Sequence, residues 1–240
     1  MAINVNTVYQ TVLLILNKEQ RGYMTPTEFN TIATQVQLEV FEKFDDLNQQ
    51  LRVPQADTDY ADRQENIDEK IAIFKTFGEA TYTTLGSLSY FTLPETDAYS
   101  SIVSFYRLGN VLYNDEKIVQ RLDRHEFYYV NQSKLTRPTT KNPVYLYENE
   151  KLFVKPETIN TGIKVDYIRK PNNVLWAFDT GNLGQYQYRE LDSIDFELHE
   201  SEQSEVVLKI LLYAGIVIRD PQIVQAAAAQ VQADEVNKKS

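Results

Sequence analysis

The strongest local constraint on how this chain folds is a turn that runs into a complete helix-capping signal, Asn17-Lys-Glu-Gln-Arg-Gly-Tyr-Met-Thr-Pro-Thr-Glu-Phe-Asn30. Thr25 suits the N-cap, and Pro26 suits the first helical position because its missing N–H has no partner there anyway. Glu28, three residues after the cap, can reach back to close a capping box. Met24 and Phe29 stand where a hydrophobic staple forms across the box. A helix therefore starts at Pro26, with Phe29, Ile32, Ala33, Val36, Val40, Phe44 and Leu47 on one apolar stripe, and stops before Pro54. Residues 3–17 carry Val5, Val8, Tyr9, Val12, Leu13 and Leu16 at the same helical spacing. Two amphipathic helices joined by a short turn make an antiparallel hairpin. Its apolar faces need further cover from this chain or a neighbour.

Beyond the polar stretch 55–64, a third short helix is expected over Asn66 to Phe77. From Ala80 the pattern becomes β. Thr-, Tyr- and Ser-rich runs fill 80–93, and Gly109-Asn110 separates two β-like runs at a spacing that favours a hairpin turn. A fold-back at Asn114-Asp115-Glu116 is expected next, then a short helix after Asp123. A further hairpin is expected about Glu148-Asn149-Glu150, and a strand from Gly162 to Arg169. Residues 172–195 are irregular, with turns marked by Gly181 and Gly184. Ser201 can cap a helix over about 202–219 that is apolar on nearly all sides. Such a helix belongs between layers or between subunits. Asp220-Pro221 restarts a final Ala- and Gln-rich helix, which either docks on a neighbour or completes the bundle.

The fold class expected is α+β: an N-terminal α-hairpin and C-terminal helices packed as a bundle, with a central antiparallel β region, either a sheet or a small sandwich. The expected division is 1–78 for the N-terminal helical part, 79–197 for the β-rich part and 198–240 for the helices that complete the bundle.

Composition narrows the function. The chain of 240 residues contains no cysteine, which excludes disulfide scaffolds, thiolate zinc sites and cysteine catalysis. Its net charge of −10 gives no general attraction for nucleic acid, so sequence-specific DNA binding is not expected. An acidic lumen through which DNA slides would use that charge, and ordinary solubility would too. No secretion signal or membrane-spanning run is present in the sequence, so the expectation is a soluble protein made inside the cell. The 16 tyrosines suit half-exposed strands and also suit interfaces.

Catalytic patterns are missing. His125 and His199 have no histidine or cysteine at metal-ligand spacing and fit surface or capping roles better. Asp57-Thr-Asp59-Tyr-Ala-Asp62 lacks the glycine and terminal glutamate of a calcium loop. There is no phosphate-binding loop, dinucleotide fingerprint or nucleophile elbow, and Lys164, Arg169 and Lys170 form at most a loose basic group. The expectation is a non-enzyme with no metal and no cofactor.

The string from Asn17 to Asn30, within residues 3–50, resembles a segment of the head-to-tail connector or adaptor ring proteins of short-tailed bacteriophages, crAss-like phages among them. The resemblance returns around Asn142 to Trp176, in PVYLYENEKLFVKP, KVDYIRKP and the Trp that follows. It implies a structural virion protein of the phage neck, made and assembled in the host cytoplasm. It implies a cyclic homo-oligomer, commonly of twelve copies, bound to the portal protein and to other neck or tail rings. Genomic DNA would pass through its lumen without sequence-specific binding, and no membrane would be involved. The alternatives are a tail-tube or tail-hub component and a host-surface glycan-binding module.

The residues expected at interfaces are Arg21 and Tyr23 in the first turn, Val206, Ile210, Tyr213 and Val217 on the apolar helix, and Ile223 and Val224 after Pro221. For Arg21 and Tyr23 an internal role stands beside the interface role: pairing with a nearby Glu, and packing over the helix start.

Overall fold

The computed structural model describes residues 2–18, 23–50, 60–86, 88–95, 104–181 and 184–218, together with 229 and 232. In chain order the elements are β1 (Ala2–Ile3), α1 (Val5–Lys18), α2 (Pro26–Gln50), α3 (Tyr60–Ala72), β2 (Lys75–Glu79), β3 (Thr81–Leu85) and β4 (Leu88–Thr92). Then follow β5 (Phe105–Tyr113), β6 (Lys117–Ile118), β7 (Gln120–Arg121), α4 (Arg124–Gln132), β8 (Val144–Glu148), β9 (Lys151–Lys155) and β10 (Ile163–Arg169). After these, among the described residues, come β11 (Phe178–Thr180), β12 (Tyr186–Tyr188), β13 (Phe196–His199) and α5 (Gln203–Ile218). The fold is α+β, as expected.

Two units divide the chain: Met1–Ile73 with Pro171–Ser240, and Phe74–Lys170. The first is helical, and both ends of the chain build it. α5 packs against α1 and α2, and α3 packs against α2. The core of this unit includes Val8, Val12, Phe29, Val36, Phe41, Phe196, Val206 and Ile210.

The capping box forms as its residues dictate. The Thr25 N–H donates to Glu28 Oε2 at 2.9 Å, and the Glu28 N–H donates to Thr25 Oγ1 at 3.3 Å. Met24 and Phe29 are both buried, as a staple requires. Hydrogen bonds from the Thr25 hydroxyl and N–H hold the Glu28 carboxyl below its ordinary value. A carboxyl whose folded pKa is depressed stabilises the fold above its unfolded value and loses that contribution as pH falls through it. The helix start therefore weakens in acid. Thr25→Ala is expected to cost about 1 kcal/mol at neutral pH. Glu28→Gln should show a smaller loss of stability between pH 7 and pH 3 than the parent chain in denaturant titrations.

The expected boundaries at 79 and 197 are displaced to 74 and 170, and the cause of the second shift lies on α2. Asn30, Thr34 and Gln37 share one helix face and zip the extended segment 172–176 along it. Asn30 Nδ2 donates to the Trp176 carbonyl at 3.2 Å, and Asn30 Oδ1 accepts from the Trp176 N–H at 2.8 Å. Thr34 Oγ1 donates to the Val174 carbonyl at 3.3 Å. Gln37 Nε2 donates to the Asn172 carbonyl at 2.6 Å, and its Oε1 accepts from the Glu197 N–H at 2.8 Å. The segment 171–197 thus belongs to the helical unit, where β13 also pairs with β1. Gln37 is fully buried, so Gln37→Leu strands two backbone groups for no gain in packing. The expected loss is about 1–3 kcal/mol by chemical denaturation.

The second unit holds two sheets, one ordered β2-β10-β5-β6 and the other β3-β4-β9-β8-β7. Both feed one core: Val111, Ile163, Val165 and Tyr167 from the first sheet, and Phe91, Tyr145, Leu152 and Val154 from the second. The β region is therefore a small sandwich. Its hairpins turn where expected at Asn114-Asp115 and Asn149-Glu150, with φ of 51° and 60° at the first and 51° and 57° at the second. Both central residues left-handed is the turn that matches strand twist.

Two local expectations change. Gly109-Asn110 is not a turn. β5 runs through it, and both residues stand opposite Asp166 as a β-bulge between the pairs Val165↔Val111 and Tyr167↔Leu108. A Cβ at Gly109 would lie 2.9 Å from the Asp166 carbonyl oxygen, so glycine is required there by close approach. The third helix spans 60–72 rather than 66–77, because Lys75–Glu79 is drawn into register beside β10.

Candidate functional site

In the helical unit, α1, Tyr23 and the β11–β12 hairpin enclose an open cleft of about 650 Å³. Helix periodicity places Asn6, Gln10 and Leu13 along one wall, and the hairpin supplies Gln185, Tyr186 and Tyr188 opposite. Trp176 and Tyr9 form the floor, and both are buried. The hairpin stands where it does because aromatic rings fasten it. Trp176 stacks on Tyr188 at 5.5 Å and on Phe178 at 5.9 Å, and Phe178 meets Tyr186 edge-on at 5.0 Å. Tyr9 packs against Trp176 at 4.5 Å and against Phe29 at 4.8 Å.

The polar atoms of the floor are committed inward. Trp176 Nε1 donates to Asn6 Oδ1 at 3.0 Å, and the Tyr9 hydroxyl donates to the Met24 carbonyl at 3.2 Å. Burial, with the Tyr23 hydroxyl beside it, pushes the Tyr9 phenol well above its usual range, so it remains a neutral donor. Among the described residues, the side chains lining this cleft are all uncharged.

Of the expected interface residues, Tyr23 lies at the cleft rim with 55% of its surface exposed. Arg21, Ile223 and Val224 lie outside the described residues, and Val217 falls on α5 with only its backbone described. Val206 and Ile210 correct the expectation: both are fully buried inside the helical unit. α5 is apolar all round because α1 and α2 cover it within the chain, and no neighbouring subunit is needed for that.

Tyr213 is half-buried and donates its hydroxyl to Glu39 on α2, which with burial raises the phenol to about 12. It belongs to a charged seam between α2 and α5. Glu205 lies 3.1 Å from Lys43 and 3.9 Å from Lys209, and Lys209 lies 3.7 Å from Glu39.

The histidines take structural positions. His199 Nδ1 accepts from the Ser201 N–H at 3.2 Å, so His199 caps the short 3-10 turn before α5 in place of Ser201. His125 meets Tyr129 edge-on at 4.7 Å on the exposed side of α4. Lys164 pairs with Asp115 at 2.6 Å, and the Arg169 guanidinium lies over Phe74 at 5.6 Å. Neither geometry builds an anion site. Asp57 and Asp59 lie outside the described residues. Among the described residues, no group of three or more His, Asp or Glu side chains is placed to hold a metal ion.

The hairpin wall and Trp176 floor were not expected from the sequence. The signal was present in the single Trp and the i, i+2 aromatic pairs Trp176/Phe178 and Tyr186/Tyr188 flanking two glycines. Comparison with protein-family models and with curated proteins finds no match to this chain.

Proposed function

We propose that this chain is a non-enzymatic virion protein, one subunit of a cyclic ring in a bacteriophage neck between portal and tail. The observation that carries this reading is architectural. Both ends of the chain build one helical unit, and residues 74–170 form a separate β-sandwich inserted into it. A ring subunit uses such a division well. The helical unit supplies the ring wall, and the β unit presents loops to the next ring.

Ring closure joins one face of a subunit to a different face of its neighbour and so needs apolar surface left uncovered in the single chain. The sandwich leaves Leu85 and Leu88 67% and 59% exposed at one hairpin tip, where they are cross-strand partners. The helical unit leaves Leu191, Leu175 and Ile194 open, the last two joined by a β-bridge. The net charge of −10 suits a lumen that repels DNA phosphates and lets the genome slide. The partners are further copies of this chain, the portal protein and the adjoining neck or tail ring. The ring is assembled in the host cytoplasm. Among the described residues, no helix is long and apolar enough to cross a membrane.

The test is negative-stain electron microscopy of the full chain mixed with the portal protein of the same genome, beside each protein alone. A closed ring of added density on one portal face is expected, and its symmetry gives the copy number. Portal particles that remain bare at saturating concentrations of the chain would overturn the reading.

A further inference from the structure

We propose that a basic face of the sandwich unit, formed by α4 and the turns after it, docks on the acidic helical unit of a second copy of this chain. The inference rests on the ring reading for cyclic closure and names the surfaces that meet. Charge is divided unevenly along the chain. Residues 1–73 and 171–240 carry 11 Lys and Arg against 23 Asp and Glu, a net charge of −12. Residues 74–170 carry 13 against 11, and within them 117–141 carry six against two. Two copies therefore attract when the basic face of one meets the helical unit of the other, and repel when two helical units meet. Such a contact is heterologous, the kind that closes a ring.

The basic face has a fixed shape. Ser133 Oγ accepts from the Leu135 and Thr136 N–H groups at 3.3 and 3.4 Å. Thr139 and Asn142 exchange backbone hydrogen bonds at 3.3 and 3.0 Å, which folds Thr140 and Lys141 into a tight turn. Lys134, Arg137 and Lys141 are exposed and, among the described residues, pair with no carboxylate. In the same segment Leu135 is 95% exposed and Tyr129 63%. Arginine and tyrosine around an open aliphatic side chain suit a protein partner. The helical unit offers the complement at residues 190–194. Leu191 is 99% exposed between the exposed Glu190 and Asp192, and Ile194 is bridged to Leu175, both partly open. Arg189 is taken by Asp192 and Asp179, so Glu190 presents its charge outward. Nucleic acid is the other polyanion suited to a basic face, but the net charge of −10 opposes its approach.

The full chain is followed by sedimentation velocity at low salt and at about 1 M salt, where the Debye length falls to about 3 Å. Self-association is expected at low salt and should be lost at high salt. Lys134→Glu with Arg137→Glu and Lys141→Glu should weaken it about tenfold or more, as should Glu190→Lys with Leu191→Lys. All five side chains are exposed, so both variants should keep the parent circular dichroism spectrum and melting temperature. An equal mixture of the two should associate again, because the reversed faces are complementary. Association that persists at high salt or in both variants would overturn the proposal, as would a parent chain that stays monomeric throughout. So would a gel shift of duplex DNA by the parent that the triple variant abolishes, since the face would then serve nucleic acid. Mixing with portal separates this contact from the ring reading. A ring formed equally by the triple variant overturns the contact alone, and complementary association beside a bare portal overturns the ring alone.

Discussion

Trp176→Ala is expected to lower the unfolding free energy by about 3–5 kcal/mol, the range for removing a large aromatic from a packed core. The indole is 4% exposed and is the hub on which the helical unit's irregular segment is organised. It contacts Tyr9 on α1, Phe178 on β11 and Tyr188 on β12. Truncation opens a void among these three rings and leaves Asn6 without its indole partner. Against a total stability of about 5–15 kcal/mol for a typical domain, a loss of this size would remove a large share. Urea titration followed by far-UV circular dichroism measures it. Trp176→Phe should recover part of the loss by refilling the void, though without the hydrogen bond to Asn6. A Trp176→Ala loss below 1 kcal/mol would mean that the β11–β12 hairpin is not held by this cluster.

Glu205→Ala is the second large effect. The carboxylate is buried, with only 6% of its side chain exposed, and it lies between Lys43 at 3.1 Å and Lys209 at 3.9 Å. Removing it takes the shared carboxylate away from both ammonium groups, while Lys209 keeps Glu39 at 3.7 Å. Removing one partner of a buried ion pair costs up to about 3–5 kcal/mol, more than the pair itself contributes. The distinction is testable. The double variant Glu205→Leu with Lys43→Met replaces the pair by apolar groups of similar size and should recover most of the loss. If the double variant is no more stable than Glu205→Ala, the cost lies in lost packing and not in a stranded charge.

Much of the helical part could be read from residues alone, because its signals are local. The Thr25-Pro26-Thr27-Glu28 box acts within one helical turn, and the stripes on α1 and α2 repeat at the helical period. The hairpin turns at Asn114-Asp115 and Asn149-Glu150 were legible for the same reason, since a two-residue turn is decided by the residues inside it. Gly109-Asn110 carries the same turn chemistry and yet lies in mid-strand. Its meaning came from Asp166, 57 residues away on β10, whose carbonyl leaves no room for a side chain. Short-range patterns cannot distinguish a glycine that turns from a glycine that is approached.

The cleft was legible only at its rim. Tyr23 stood out beside the capping signal, whereas Asn6 and Gln10 look like solvent-facing polar positions of an amphipathic helix. Val206 and Ile210 misled in the opposite sense. Apolarity on all sides of α5 predicts burial, but says nothing about whether the covering surface comes from the same chain.

By itself, then, the sequence determined the start of α2, the hairpin turns at Asn114-Asp115 and Asn149-Glu150, the α+β class and the acidic, cysteine-free character, each set by neighbours within a few positions or by composition. Tertiary structure decided the rest. The polar face of α2 holds 172–176 and moves that segment into the helical unit, α5 is buried between α1 and α2, and the lone tryptophan is brought to the floor of a neutral cleft. These outcomes rest on groups far apart in the chain, 170 residues in the hydrogen bond from Trp176 to Asn6. Only closure of the chain brings such groups within bonding distance, so no short window of sequence contains both partners.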